Sequence, residues 1–83
     1  MSAETRVAVM GIIVENMESV AELNRLLHEY GQYIIGRMGI PHQKNDISLI
    51  SIAIEAPQDI ISSLSGKIGM LDGVTAKAVY SKV

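Results

Sequence analysis

Eighty-three residues without a cysteine make one small domain, 1–83, and exclude disulfides, thiolate metal sites and cysteine nucleophiles. Formal net charge is −2 with a pI near 5.5, and the seven basic residues are scattered from Arg6 to Lys82, so the clustered positive charge that nucleic-acid binding needs is missing. No stretch approaches the roughly 20 apolar residues of a membrane span, and MSAETR holds no apolar run like that of a secretion signal, so the expectation is a cytoplasmic protein away from membranes.

In chain order, Arg6 to Val14 (RVAVMGIIV) reads as a first strand that is apolar at both parities. Val7, Val9 and Ile13 would line one face; Ala8, Met10, Ile12 and Val14 would line the other. Asn16 then caps a helix beginning at Met17, with Ser19 and Glu22 as a competing capping-box start. Val20, Leu23, Leu26, Leu27 and Tyr30 recur at helical spacing, Glu18, Glu22, Arg25, His28 and Glu29 fall opposite, and Gly31 stops the helix. Tyr33 to Ile40 is a weaker strand, interrupted by Gly36 and Gly39 and closed by Pro41, as befits an edge or bulged position. HQKND turns into a strong strand, Ile47 to Glu55 (ISLISIAIE), again apolar at both parities. Pro57 suits the first turn of a second helix whose stripe is Ile60, Ile61, Leu64, Ile68 and Leu71. Asp72-Gly73 ends it, and Val74 to Ser81 is a last strand with Val74, Ala76, Ala78 and Tyr80 on one face.

The order β-α-β-β-α-β predicts an α+β, ferredoxin-like sandwich: a four-stranded antiparallel sheet with two helices on one face. The first and third strands are central in that arrangement, and they are the two whose apolar residues occupy both parities. Two helices cover one face only, so the other needs a second subunit. Met10, Ile12 and Ile52 are the sheet residues expected at that contact.

The residues reached so far resemble a small family of iron-only hydrogenase system regulators. The likeness is an ordered set spread over nearly the whole chain: the Val14-Glu15-Asn16 end of the first strand, LLHEYG at 26–31, RMGIP at 37–41, SGKIG at 65–69 and DGV at 72–74. What the resemblance implies is an ACT-like fold, related to the ligand-binding domain of the nickel-responsive repressor, in an oligomeric regulatory or sensory role. The chain departs from that repressor in two respects. About six residues precede the first strand, too few for a ribbon-helix-helix segment, and the set of several histidines with a cysteine that holds nickel is missing. DNA reading and nickel sensing are therefore not carried over.

His28 on the outward side of the first helix and His42 in a loop fall short of the three or four converging ligands a metal takes, so no metal or other cofactor is expected. Ser65-Gly66-Lys67 lacks the upstream glycine and the following Ser or Thr of a phosphate loop. Ser62, Ser65 and Gly66, with Gly69, lie on the far side of the second helix where charged residues usually stand. Glycine inside a helix costs about 1 kcal/mol relative to alanine, so Ser62, Ser65 and Gly66 are expected to form a contact surface. Asn16, at a helix N-terminus, and Arg37, between two glycines, join Gly66 as candidate ligand-binding residues; a simple cap and a solvated edge charge are the plainer readings. The methionines at 10, 17, 38 and 70 read as adaptable packing. No histidine is placed by local sequence to activate a serine, so no catalytic residue is named.

The resulting expectation is a non-enzymatic homo-oligomer, dimer or tetramer, acting in transcriptional or accessory regulation without binding nucleic acid itself. A small-molecule effector or a protein partner would complete it. Two rivals stand beside it: a small-molecule sensor with its ligand at a subunit interface, and a small dimeric ferredoxin-like enzyme.

Overall fold

The structure, a computed structural model, describes residues 4–42 and 46–82. Strand β1 (Thr5–Val14) leads through a single 3-10 turn (Met17–Ser19) into helix α1 (Val20–Glu29), and a second 3-10 turn (Gly31–Tyr33) leads into β2 (Ile34–His42). Strand β3 (Ile47–Pro57), helix α2 (Gln58–Gly69) and β4 (Val74–Tyr80) follow. The four strands form one antiparallel sheet in the order β2-β3-β1-β4, the ferredoxin-like arrangement that the sequence predicts.

The two strands with apolar residues at both parities pair in the middle, from Thr5↔Pro57 to Val14↔Ser48. Ala8, Met10, Ile12 and Val14 of β1 and Ile52, Ile54 and Ala56 of β3 point to the helices and are buried. Leu23, Leu26 and Leu27 of α1 and its C-cap Tyr30, with Ile61, Leu64 and Ile68 of α2, close over them in one largely aliphatic core. Met10, Ile12 and Ile52, expected at a subunit contact, are thus 0%, 1% and 0% exposed inside the protomer. That assignment is corrected: these three side chains face the helices, and the parity the helices leave uncovered is the other one.

Local chemistry also moves several boundaries. The Asn16 side chain accepts from the Glu18 amide at 3.0 Å and caps the 3-10 turn, so the α-helix proper starts at Val20. Ser19 forms no cap; its hydroxyl donates to the Asp72 carbonyl at 2.7 Å, and the expected capping box is absent. Pro57 is the residue before α2 and not its first turn, and α2 stops at Gly69. Strand β2 is both an edge and bulged, between Ile34 and Gly36, and it runs on through Pro41 because an edge strand tolerates a missing amide hydrogen.

Candidate functional site

On the side of the sheet away from the helices, odd-numbered residues of β1, β3 and β4 and, beyond the bulge, Gly36, Met38 and Ile40 of β2 share one face. Val7, Val9 and Ile13 of β1 are 40%, 49% and 43% exposed there, Met38 and Ile40 of β2 are 61% and 53%, and Val79 of β4 is 72%. Leu49, Ser51 and Ala53 of β3 are partly exposed between them. Among the described side chains, Glu55 and Lys77 supply the only formal charges on this face. Large apolar residues outnumber polar ones across its whole width, the pattern of a surface that another layer covers.

Its centre is hollow. Gly11 sits between Ser51 and Lys77 in the pairing, and a side chain built on it would meet nothing within 4 Å. The gap opens a shallow depression of about 440 Å³, lined by Gly11, Ile13, Leu49, Thr75 and Lys77. A protruding apolar side chain or a small molecule with an apolar body fits that shape better than a charged one, because only Lys77 on its rim carries charge.

The residues named from sequence are dispersed. Both ends of the Asn16 amide are engaged within the chain, since its oxygen caps the turn and its nitrogen donates to Asp72 Oδ2 at 2.7 Å. Arg37 stands on the helix side of edge strand β2 and reaches Asn24 Oδ1 of α1 at 3.4 Å, so it bridges strand to helix. Ser62, Ser65 and Gly66 do line one surface, a trough of about 450 Å³ between α2 and β4, with Ala76, Ala78 and Tyr80 as its other wall. His28 is exposed on α1, and the His42 side chain lies outside the described residues. Among the described residues no three His, Cys, Asp or Glu groups converge on a point where a metal would sit. Of the residues on this face, Ile40 and Val79 have no role in the sequence reading, Met38 is read there as packing but is 61% exposed, and the shared parity of Val9 and Ile13 in β1 is the signal that points to the face.

Charged and hydroxyl groups cluster on the helices instead. Arg25 grips Glu22 and Glu29 one turn to either side on exposed α1, and the hydrogen bond from Arg25 holds the Glu22 carboxyl below the usual carboxylate range. Lys67 Nζ of α2 donates to the hydroxyl of Tyr30, the C-cap of α1, at 2.8 Å, and Ser63 Oγ lies 3.3 Å from the same oxygen. The bond from Lys67 lowers the Tyr30 pKa, with Ser63 contributing in the same direction, and Tyr30 in turn raises that of Lys67. This group pins the two helices together. Among the described residues, Ser19 and Tyr30 are the buried residues that carry a hydroxyl, each 8% exposed.

Fold and surface together define a ferredoxin-like α+β domain with one bare apolar sheet face. Residues 6–78 match the profile of the TM1266-like family, described as "Iron-only hydrogenase system regulator, putative", and the chain belongs to that family. The solved structure of the uncharacterized protein TM1266 from Thermotoga maritima is similar with a TM-score of 0.91 and 31% sequence identity, over 95% of this chain and 100% of that one. A formyltetrahydrofolate deformylase from Pseudomonas putida KT2440 is similar with a TM-score of 0.63 and 11% identity, over 88% of this chain and 28% of that one, a likeness of fold alone. No curated protein sequence matches.

Proposed function

We propose that this chain is a non-enzymatic regulatory domain of the iron-only hydrogenase system that works as a homo-oligomer, assembled through the sheet face opposite its helices. The observation that carries this reading is the set of exposed Val7, Val9, Ile13, Met38, Ile40 and Val79 on one face of the sheet. Four strands about 4.8 Å apart and roughly 30 Å long project about 550 Å². A stable interface buries ~800 Å² of accessible surface per partner, and accessible area over side chains exceeds the projection. Two such faces packed about 10 Å apart would make a second apolar core. The acidic balance and scattered basic residues favour regulation through a partner protein or an effector over direct contact with DNA.

A second reading, a sensor with its ligand between subunits, draws on the depression over Gly11. Packing two sheets face to face would enclose it, and its lining would select a small apolar body with one anionic or hydrogen-bonding group for Lys77 or Thr75.

Molar mass by light scattering of the purified chain and of the double variant Val9→Lys/Ile13→Lys tests the assembly. The proposal expects a multiple of 9.0 kDa for the first and a lower mass, with retained helix signal, for the second. A promoter-fragment shift with the purified chain tests the regulatory half, because specific binding at sub-micromolar concentration would contradict action through a partner.

A further inference from the structure

The two edges of the sheet are built differently. Edge strand β2 carries a bulge between Ile34 and Gly36, a charged residue at Arg37 and, at Pro41, no amide hydrogen. Each of these features hinders the addition of another strand. Edge strand β4 runs from Val74 to Tyr80 with no break in register and no proline, and its one charged residue, Lys77, turns its backbone groups to β1.

Hydrogen bonds at both ends of β4 fix which way its backbone faces. The Glu15 amide donates to the Gly73 carbonyl at 2.7 Å, and the Ser81 amide donates to the Val7 carbonyl at 2.8 Å. Paired and unpaired residues alternate along an antiparallel ladder. Thr75, Lys77 and Val79 therefore turn their N–H and C=O groups to β1, and Ala76, Ala78 and Tyr80 turn theirs to the open edge. Helix α2 does not cover that edge; it stands across the trough lined by Ser62, Ser65 and Gly66. A Cβ on Gly66 would meet nothing within 4 Å, so nothing inside the protomer requires glycine there, whereas a neighbouring helix crossing at that point would.

We propose that the free edge of β4 pairs antiparallel with β4 of a second copy of this chain, about a two-fold axis at Ala78, to make one continuous eight-stranded sheet with the two α2 helices side by side. Charge and size favour the register centred on Ala78. Centred on Ala78, the pairing sets Lys77 against the partner's Val79 and Ala76 against the partner's Tyr80, a small residue against a large one beneath α2. Centred on Lys77, it would set two ammonium groups directly opposite, which is destabilising. Centred on Ala76, it would need the Val74 amide, which is already bonded to the Leu71 carbonyl at 3.2 Å. The edge is also held ready at both ends. Arg6 donates to the Ser81 carbonyl at 3.1 Å and lies 4.6 Å over the Tyr80 ring, while Asn16 fastens Asp72. Pairing then orders little that is not ordered beforehand, which lowers the entropy cost of association. This contact is separate from packing through the sheet face, and a chain using both would form a tetramer.

Amide hydrogen exchange on the full chain, read residue by residue at low and high concentration, tests the pairing. The proposal expects Thr75, Lys77 and Val79 to be protected at both concentrations, and Ala78 and Tyr80 to gain at least tenfold protection only at the higher one. Ala78→Pro removes an outward N–H and no bond to β1, so it should abolish that gain at Tyr80 while circular dichroism stays unchanged; Gly66→Lys should do the same from the helix side if the proline variant fails to fold. Fast exchange at Ala78 and Tyr80 under conditions where light scattering shows an oligomer would overturn edge pairing and leave the sheet-face contact standing. Repeating the measurement on Val9→Lys/Ile13→Lys separates the two, since edge protection that survives there does not depend on the sheet face.

Discussion

Two glycines illustrate how differently one residue type is used in this chain. Gly73 has φ +69°, and a Cβ on it would come within 2.6 Å of Asn16 Cβ and 2.9 Å of the Asn16 amide nitrogen. The turn before β4 is therefore pressed against the turn after β1, with the Glu15–Gly73 and Asn16–Asp72 bonds on either side. Gly73→Ala should lower stability by about 2 kcal/mol, from the left-handed backbone and the contact together; urea unfolding of wild type and variant reads this directly. Gly66 is the opposite case, with no positive φ and open space around it. Gly66→Ala should raise the stability of the dilute protomer by about 0.5 to 1 kcal/mol, because alanine loses less backbone entropy in a helix. The Asp72-Gly73 turn was legible in the sequence, but its second job, fitting against Asn16 across 56 residues of chain, was not, because no local pattern encodes a distant close approach.

At the scale of elements, both helical stripes were legible because a 3.6-residue period of Leu and Ile has no competing explanation in so aliphatic a chain. The N-termini were less so, since Asn16 and Ser19 are equally good caps on paper and only the position of Asp72 draws Ser19 away. Both helices carry titrating groups whose shifts have testable signs. The Glu22 carboxyl lies below its ordinary 4.5 because of Arg25, so its contribution is complete above pH 4.5 and is lost as pH falls through the lowered value. Thermal unfolding should therefore move to lower temperature in acid by a small, salt-sensitive amount that Glu22→Gln removes. At the other end of the scale, Lys67 and then Ser63 lower the Tyr30 pKa from 10.0. Ionisation of Tyr30 accordingly favours the folded state, and its contribution is present above pH 10.0 and fades as pH falls through the lowered value. Lys67, raised above 10.5, supplies its own part below that pH and loses it as pH rises through the raised value. Phenolate absorbance should show a tyrosine ionising below 10.0, and Lys67→Met should move that transition upward.

For the whole molecule, the sequence announced that both faces of the central strand pair are apolar, but not which face the helices take. Alternation fixes which residues share a face; the choice between faces depends on the crossover of each helix, a long-range property that a strand apolar at both parities does not record. Ile12 and Ile13 are adjacent and chemically identical, yet one is 1% exposed and the other 43%. That pair turns the distinction into an experiment. Ile52→Ala, on the core side, should cost about 2 to 5 kcal/mol of protomer stability and leave the mode of association alone. Val9→Lys/Ile13→Lys, on the outer side, should leave the protomer core intact and act on assembly, because a lysine facing a second apolar sheet is desolvated without a partner. The most direct measurement of the central claim is the molar mass of wild type and Val9→Lys/Ile13→Lys by light scattering at micromolar concentration. The account predicts a multiple of 9.0 kDa for wild type and a lower multiple for the folded variant; a single 9.0 kDa species for wild type, or an unchanged mass for the folded variant, would contradict it.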